Sequence, residues 1–568
     1  MSYTTGTAFL EALLETGVEY VFCNLGSDHS SIVEAYAAGR RAGKKLPTLI
    51  TAPHEMVGMT AAHGFAQVTG RAQAVIVHVE CGTQSLAGAV HNAAKGRVPV
   101  FLFAGMSPAT LEGEARGSRN EFIHWLQDTF DQRGLVRGYM RYDNDIRVGA
   151  NVKQIVHRAM QFAHSEPKGP VYLVAAREIM EQDIEPVTID RAKWPVISHS
   201  ALPPDAPGAI ANLLANAKRP LIVTSYLGRN LAAVDQLVKL AQRLGVGVLE
   251  SCPNHLSFPH DHPLYQGSQW NEKRQNVALA EADVILVADS DVPWIPQINK
   301  PSKDARIVHI DVDPLKQQMP LWYIGAEQSY RADAGIALGQ INSYLDSAKV
   351  NESLVSERRA HYERRHADRV ASLRKLEQRT GDAITPEYLT ACVGKAIGPD
   401  AIILSEAVTN FHIVANHSGR TKPGTLISSG GGSLGWNGGA AIGVKLAKPD
   451  AFVTTMTGDG TYMFSIPSTV HWMAQRYRTP FLQVIFNNKG WRAPRYSAIG
   501  VHPEGLASQG DDIAISFDPP PNYAGIAAAA GGAHAEVITR AEEVIPALER
   551  AVRVVREEGR CAVVDASV

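Results

Sequence analysis

Residues 452–490 decide the fold, and they read FVTTMTGDGTYMFSIPSTVHWMAQRYRTPFLQVIFNNKG. An apolar run at 452–457 ends in Gly458-Asp459-Gly460, and a helical pattern follows. A second apolar run at 481–486 ends in Asn487-Asn488. This pattern predicts a strand, a loop, a helix and a second strand of one parallel sheet. Both polar loops would then emerge at the carboxyl edge of that sheet.

The two loops carry groups that suit a phosphate and a divalent metal. Gly458 and Gly460 let the backbone approach an anion closely. The helix that we predict from about Ser465 onward would add free N–H groups and the positive end of its dipole. Asp459 and Asn488 offer the oxygen ligands that Mg²⁺ takes together with phosphate oxygens. The stretch therefore predicts a magnesium and diphosphate site.

The same stretch resembles the thiamine-diphosphate-binding motif of the enzyme family that includes acetolactate synthase, pyruvate decarboxylase and benzoylformate decarboxylase. The resemblance implies that Asp459, Asn488 and the carbonyl group of Gly490 ligate Mg²⁺. The spacing between the two parts of the motif is two residues longer than the usual form. That difference bears on the helix between them and leaves the metal ligands in place.

Two further segments resemble parts of this family's cofactor site. Glu55 follows a predicted strand and heads a helical pattern that extends to Gln67. The resemblance implies that Glu55 hydrogen-bonds the aminopyrimidine ring of the cofactor and so promotes loss of the proton on thiazolium C2. In the glycine-rich run at 430–436, Leu434 matches an apolar residue that wedges between the two cofactor rings. The cofactor-binding residues that we expect are Glu55, Glu406, Gly432, Leu434, Gly458, Asp459, Gly460, Thr461 and Asn488.

Apolar runs alternate with helical patterns along nearly the whole chain. This alternation predicts an α/β fold in which helices cover both faces of parallel sheets. The runs that we predict as strands are 20–24, 46–52, 74–79, 98–104, 171–175, 221–225, 246–250, 284–288, 306–312, 401–404, 452–457, 481–486 and 561–564.

The resemblance covers nearly the whole chain of 568 residues and implies three doubly wound parallel-sheet domains. We place a pyrimidine-binding domain at 1–185, a middle domain at 190–345 and a diphosphate-binding domain at 383–568. Residues 346–382 are dense in Arg and Glu and are expected to form an exposed helical linker. The resemblance also implies a homodimer or homotetramer, in which Glu55 of one subunit meets the diphosphate domain of another.

Composition excludes several classes of protein. A net charge of −2 gives no electrostatic attraction to nucleic acid or to an anionic membrane. No apolar run reaches the ~18–20 residues that span a bilayer, and the first residues lack the pattern of a signal peptide. The five cysteines are widely spaced and form no C-x-x-C pair, which indicates a reducing compartment. We therefore expect a cytoplasmic enzyme with a small-molecule substrate.

Two loops are candidates for the substrate side of the site. Ser27 follows the first predicted strand, and His78 ends the third, four residues before Gly82-Thr83. They resemble benzoylformate decarboxylase loops that line the substrate, which implies that Ser27 binds a carboxylate and that His78 transfers protons. A helix N-cap and a packing histidine are the alternatives. Residues expected to shape a pocket of this chain's own are Trp294, Trp491, Arg492 and Arg495.

These features predict a thiamine-diphosphate- and Mg²⁺-dependent decarboxylase of a 2-oxo acid, with carboligase activity as an open outcome. An acetolactate-synthase-type carboligase is an alternative. Residues 289–294 lack the Asp-Arg pair of those enzymes and 489–496 lack their Gln-Trp, so FAD is not expected. An acyl-CoA-directed lyase and a non-catalytic relative are further alternatives. The joint presence of Glu55, Asp459 and Asn488 argues against the non-catalytic one.

Overall fold

The computed structural model describes residues 3–271, 274–510 and 514–568. Within them lie three six-stranded sheets, and every strand pairing in these sheets is parallel. The predicted α/β class with three parallel-sheet domains is therefore confirmed. No helix in the described ranges is long and apolar enough to cross a membrane.

The N-terminal sheet is buried on both faces. Its strands are β1 (Tyr20–Cys23), β2 (Thr48–Thr51), β3 (Ala74–Val77), β4 (Phe101–Met106), β5 (Tyr142–Asp145) and β6 (Val171–Ala176). The helices are α1 (Thr5–Glu15), α2 (Ser30–Arg41), α3 (Glu55–Thr69), α4 (Val79–Ser85), α5 (Ala87–Lys95), α6 (Ile123–Leu126), α7 (Val152–His164) and α8 (Arg177–Met180). The strand order is β2-β1-β3-β4-β6-β5. Phe101 and Phe103 enter one core while Leu102 and Ala104 enter the other, because side chains alternate along a strand.

The middle sheet has the strand order of a doubly wound fold. Its strands are β7 (Pro220–Thr224), β8 (Gly247–Ser251), β9 (Tyr265–Gln269), β10 (Val284–Ala288), β11 (Arg306–Asp311) and β12 (Gln328–Arg331). The helices are α9 (Ala206–Asn216), α10 (Leu231–Leu244), α11 (Val277–Glu281) and α12 (Ala334–Leu345). The order β12-β11-β10-β7-β8-β9 reverses between its first and fourth strands, as in dinucleotide-binding sheets.

Helix α13 (Glu352–Leu376) connects the middle sheet to the last one. It is helical as expected, but one of its sides is buried, contrary to the expectation of an exposed linker. Arg358 is fully buried and donates hydrogen bonds to the carbonyl groups of Leu244, Ala215 and Ala217. These carbonyl groups lie at the ends of α9 and α10, which have no intrahelical donor for them.

The C-terminal sheet repeats the strand order of the N-terminal one. Its strands are β13 (Ile402–Glu406), β14 (Leu426–Ser428), β15 (Val453–Gly458), β16 (Leu482–Asn487), β17 (His534–Ile538) and β18 (Ala562–Ser567). The helices are α14 (Pro386–Ile397), α15 (Phe411–His417), α16 (Asn437–Ala447), α17 (Asp459–Phe464), α18 (Pro467–Arg476), α19 (Arg492–Val501), α20 (Tyr523–Gly531) and α21 (Val544–Arg553). The order is β14-β13-β15-β16-β18-β17.

Helices α3 and α16 join the N-terminal and C-terminal sheets. Their backbones approach so closely that a Cβ atom on Gly64 would lie 2.3 Å from the carbonyl oxygen of Ala440. A Cβ atom on Gly443 would lie 1.9 Å from the carbonyl oxygen of Ala61. Only glycine permits this contact. The two helices carry Glu55 at the start of α3 and the glycine-rich loop just before α16.

Candidate functional site

The strand order of two sheets points to the site. In the N-terminal sheet β1 lies between β2 and β3, and in the C-terminal sheet β13 lies between β14 and β15. Ligands of such sheets bind outside the carboxyl ends of the strands where the order reverses. Ser27 and His78 follow β1 and β3, and Glu406 and Asp459 lie at the ends of β13 and β15. The structure therefore places four of the predicted residues at two reversal points.

The helix after β15 begins earlier than predicted. Helix α17 starts directly at Asp459 and not near Ser465. Ile466 then adopts a left-handed conformation with φ of 57° and separates α17 from α18. The helical pattern of apolar residues in the sequence belongs to α18 alone, because α17 is only six residues long.

Asp459 is buried within backbone donors. Its side chain accepts hydrogen bonds from the N–H groups of Gly460 and Gly490, each at 2.9 Å. The residue is 2% exposed, and this burial raises the pKa of its carboxyl group above the ordinary value. The two predicted metal ligands Asp459 and Gly490 are therefore in direct contact.

The surroundings of Asp459 fit a divalent cation. The Oδ1 atom of Asn488 is buried and has no hydrogen-bond partner in the described part of the chain. Burial, together with the charge of Asp459, raises the pKa of Asp565 to about 6. The carboxylate of Asp459 and the unpaired amide oxygen of Asn488 are hard oxygen donors, which suit Mg²⁺.

Gly460 makes room for an indole ring. A Cβ atom on Gly460 would lie 2.4 Å from Cζ3 of Trp491. Gly458, in contrast, has open space around it, with Oγ1 of Thr461 as the nearest atom at 3.9 Å. Trp491 also contacts Phe517 edge to face. Trp491 therefore lies beside the Gly458–Thr461 turn, and its role in shaping a pocket stays a prediction.

The other tryptophan of that prediction lies elsewhere. Trp294 is 5% exposed and packs with Leu221 and Val223 in the core of the middle domain. The expectation that it shapes the pocket is wrong, because its indole fills the space under the middle sheet. Arg492 lies beside a predicted metal ligand, since its guanidinium donates to the carbonyl oxygen of Asn488 at 3.1 and 2.8 Å.

Helix α5 holds the glycine-rich loop. The N–H group of Gly432 donates to Nε2 of His91 at 3.1 Å. Asn92 accepts from the N–H of Ser433 at 3.0 Å and donates to its carbonyl oxygen at 2.8 Å. These bonds leave Leu434 half-buried at the turn into α16.

Glu406 supports the same loop from below. Its carboxylate accepts hydrogen bonds from the N–H groups of Trp436 and Asn437 and from the Asn437 side chain. Burial raises the pKa of Glu406 to about 7. Its carboxylate oxygens are thus engaged with the start of α16, and a direct contact with a cofactor stays a prediction.

Glu55 lies between the two halves of the site. It is the first residue of α3, and its side chain is 14% exposed. Its Oε1 atom lies 3.4 Å from where a Cβ atom on Gly82 would be. The following residue, Met56, lies with its Cε atom 2.7 Å from where a Cβ atom on Gly435 would be. Glu55 is therefore close to the loop that carries His78 and next to a residue that contacts the glycine-rich loop.

The structure brings His78 into a hydrogen-bonded group that the sequence did not predict. Nδ1 of His78 lies 2.5 Å from Oδ1 of Asp28, and Nε2 lies 2.7 Å from Oε1 of Gln127. The hydrogen bond with Asp28 raises the pKa of His78 above the ordinary value. Oγ of Ser27 lies 3.1 Å from Nε2 of His124. Ser27 and His78 thus each hydrogen-bond a side chain of the segment 124–127 at the carboxyl edge of the sheet.

Asp28 could have been found from the sequence. It directly follows Ser27 in the loop after β1, and β1 and β3 are adjacent in the sheet, so its loop faces that of His78. Gln127 and His124 could not have been found in this way. They lie in a segment between β4 and β5 that has little regular structure.

Three family models match the chain in the order of its three sheets. The thiamine pyrophosphate enzyme N-terminal TPP binding domain matches residues 3–135, the central domain 208–320 and the C-terminal TPP binding domain 407–566. The chain belongs to this family of thiamine-diphosphate-dependent enzymes. The predicted family and the predicted cofactor, thiamine diphosphate, are therefore confirmed.

Similar proteins include transferases, synthases and decarboxylases. A sulfoacetaldehyde acetyltransferase of Castellaniella defragrans is 27% identical, and the match covers 99% of this chain and 92% of the relative. An acetolactate synthase large subunit of Corynebacterium glutamicum is 23% identical, and the match covers 96% of this chain and 84% of the relative. The solved 4-hydroxybenzoylformate decarboxylase of Rhodococcus jostii RHA1 has a TM-score of 0.78 at 20% identity. The match covers 100% of this chain and 99% of that structure's chain. That structure supports the fold.

Proposed function

We propose that this enzyme decarboxylates a 2-oxo acid without oxidation, in the manner of benzoylformate decarboxylase, with carboligation as a second outcome. The observation that supports the proposal is that Glu55, Ser27 and His78 follow the adjacent strands β2, β1 and β3 at one edge of the N-terminal sheet. A carboxylate, a hydroxyl group and an acid–base imidazole are thus available on that edge. Decarboxylation needs a group that holds the carboxylate and a group that returns a proton to the product.

The chain offers residues to hold the cofactor. Asp459, Asn488 and the Gly490 carbonyl would hold Mg²⁺, and Glu55 would bind the aminopyrimidine ring. The turn at 458–461 would face the diphosphate. When bound, thiamine diphosphate supplies an electron sink beside the 2-oxo carbon.

The substrate-side residues would act on protons and orientation. Ser27 would donate a hydrogen bond to the substrate carboxylate, with His124 as the partner of its hydroxyl group. His78 would donate a proton at the reacting centre and take one back for product release. A positioned acid–base group typically contributes about 10²–10⁴-fold to turnover. His78→Ala should therefore lower kcat by that range and leave thermal stability and thiamine diphosphate affinity almost unchanged.

The experiment that tests this function is a substrate panel. The enzyme is incubated with thiamine diphosphate, Mg²⁺ and a series of aliphatic and aromatic 2-oxo acids, with and without an aldehyde acceptor. Products are identified by mass spectrometry. Release of CO₂ and an aldehyde from at least one 2-oxo acid, lost in His78→Ala, would support the proposal. No turnover of any 2-oxo acid would refute it.

A second candidate is a transferase that acts on sulfoacetaldehyde. It is favoured by the match to the sulfoacetaldehyde acetyltransferase, which extends over 99% of this chain. Sulfoacetaldehyde therefore belongs in the panel. An acyl-CoA-directed lyase has weaker support, because Arg306, a basic residue at the start of β11, is paired with Glu327 at 2.8 Å.

We also propose that the complete site forms between subunits of a homodimer or homotetramer. Within one chain, Glu55 lies near Gly82 on the His78 side, and Asp459 is hydrogen-bonded to Gly460 and Gly490 in the C-terminal domain. Mixing Glu55→Gln subunits with Asp459→Ala subunits tests this. Shared sites would restore about a quarter of the wild-type number of competent sites, since a mixed twofold dimer holds one intact pair. No recovery after confirmed subunit exchange would contradict sharing.

A further inference from the structure

Asp28 uses both of its carboxylate oxygens on the loop that carries His78. The Oδ1 atom lies 2.5 Å from Nδ1 of His78, and Oδ2 accepts the N–H group of Val79 at 3.2 Å. Asp28 itself is only 3% exposed. A buried carboxylate with two bonds to adjacent positions fixes both the ring and the backbone that carries it.

The backbone at this point is strained. Val79 has φ of 37°, a left-handed conformation that is rare for a β-branched residue. Such residues cluster at functional sites, where the surroundings hold them in place. The bond from the Val79 N–H to Asp28 is one such restraint. The strain turns the chain sharply at the end of β3, so that His78 stands at the carboxyl edge of the sheet.

Two glycines keep the pair together. A Cβ atom on Gly26 would lie 2.0 Å from Nδ1 of His78, and one on Gly105 would lie 2.2 Å from Oδ2 of Asp28. Both approaches are closer than any side chain allows. The loop after β1 and the strand β4 therefore enclose the pair from two sides, which leaves Nε2 as the nitrogen that faces Gln127.

The two hydrogen-bond partners of the ring suit its charged form. Nδ1 donates its proton to the Asp28 carboxylate, and Oε1 of Gln127 can only accept from Nε2. Both ring nitrogens then carry protons, which describes an imidazolium. The alternative, a neutral ring, would require the Gln127 amide to turn so that its NH₂ group faces Nε2.

From this geometry we propose that Asp28 is a positioning residue that orients His78 and stabilises its imidazolium, so that Nε2 is the nitrogen that releases the proton. The proposal rests on the proposed role of His78 in proton transfer. Asp28 acts through His78 and need not touch the substrate. In the donation step the N–H bond at Nε2 breaks, its electron pair stays on the ring, and the other proton stays on Nδ1, hydrogen-bonded to the Asp28 carboxylate. The neutral ring regains a proton at Nε2 during product release.

Other charges around the pair affect the same equilibrium. Glu55 also favours the charged form of His78, whereas burial of the ring opposes it. The neighbouring His29 also interacts with Asp28 and so competes with His78 for its charge. Further titratable groups nearby are Glu80, Cys81, His124, Tyr172 and Arg177. Because the Asp28 hydrogen bond is the leading cause of the raised pKa of His78, its loss should lower that pKa.

The test compares Asp28→Asn, His78→Gln and the double variant as holoenzymes. Histidine labelled with ¹³C at the ring carbon gives a titration curve for His78, identified as the signal lost in His78→Gln. In Asp28→Asn that titration should move to lower pH. With an active 2-oxo acid, kcat at pH 8 should fall about 10- to 100-fold and recover at lower pH, where the imidazolium forms again.

Each outcome separates this proposal from the proposed function. If His78→Gln keeps full turnover, the proton-transfer role of His78 fails, whereas the titration of His78 still decides the pairing with Asp28. If His78→Gln is impaired but Asp28→Asn shows an unchanged titration and pH profile, the role of Asp28 is refuted.

In the double variant, Asp28→Asn should add no further loss of kcat to His78→Gln. An added loss would indicate a general structural role and also overturn the proposal. If Asp28→Asn does not fold, Asp28→Glu, which keeps the charge at a different reach, is measured in the same way.

Discussion

Replacing Asp459 by Asn should weaken the binding of Mg²⁺ and thiamine diphosphate without lowering the stability of the cofactor-free protein. Asp459 is 2% exposed, and its carboxylate is held by two backbone N–H groups, from Gly460 and Gly490. Among the ion pairs of the described residues none joins a cation to Asp459. Its raised pKa means that the folded protein binds this proton more tightly than the unfolded chain does. The stability contributed by this group therefore falls as pH rises through the folded pKa.

The magnitude follows from the ligand set. Asp459 is the one charged group among the three proposed metal ligands, since Asn488 and the Gly490 carbonyl are neutral. Loss of a residue that only supports a metal ligand typically costs about 10–100-fold in affinity. Loss of the charged ligand itself should cost at least about 100-fold, or roughly 2.7 kcal/mol. Without cofactor, by contrast, removing the buried charge should leave stability at pH 8 unchanged or increased.

Calorimetry with thiamine diphosphate and Mg²⁺ measures the affinity, and thermal melts with and without the cofactor measure stability. Asp450→Asn, at an exposed turn of the same domain, is the matched control and should behave like the wild type. The wild type should melt higher with cofactor, while Asp459→Asn should gain little. Wild-type affinity in Asp459→Asn, or a melt several degrees lower without cofactor, would refute the reasoning.

Three further predictions follow from the packing and the site. Gly443→Ala should destabilise the protein by about 1–3 kcal/mol or more in denaturant unfolding, because its Cβ atom would meet the backbone of α3. The control Gly325→Ala, whose Cβ atom would have nothing within 4 Å, should unfold like the wild type. Arg358→Ala should cost about 2–4 kcal/mol, since it leaves buried carbonyl groups without donors, and the exposed Arg364→Ala should melt like the wild type. The purified protein should show no flavin absorbance band, and added FAD should not raise turnover; a stoichiometric flavin would revive the acetolactate synthase alternative.

The core strands could be predicted from the sequence because they are apolar throughout. All thirteen predicted runs correspond to strands. The five strands that were missed, β5, β9, β12, β14 and β17, each lie at the edge of a sheet. Edge strands such as Gln328–Arg331 and His534–Ile538 are partly exposed and carry polar residues, so they lack the continuous apolar run of a strand that is buried on both faces.

The candidate site could be predicted only where a loop has a fixed place relative to a strand. Asp459 and Asn488 directly follow strands β15 and β16, and Glu55 begins the helix shortly after β2, so their order in the sequence indicated where they lie. Gln127 reaches His78 from an irregular segment, and no local pattern indicates such a contact. For the linker helix α13, the sequence predicted exposure on all sides, and this prediction was wrong for one side. Its charged composition suggested exposure, but Arg358 satisfies helix-end carbonyl groups that only the packed structure reveals.

The central claim is that Glu55 activates a bound thiamine diphosphate in this chain. Exchange of the cofactor C2 proton for deuterium, followed by acid quench and NMR, measures this directly and needs no knowledge of the substrate. Glu55→Gln keeps the size of the side chain and should still bind thiamine diphosphate and Mg²⁺. The exchange rate in Glu55→Gln should fall by about 10²-fold or more relative to the wild type. An exchange rate equal to that of the wild type, with the cofactor fully bound in both proteins, would contradict the account.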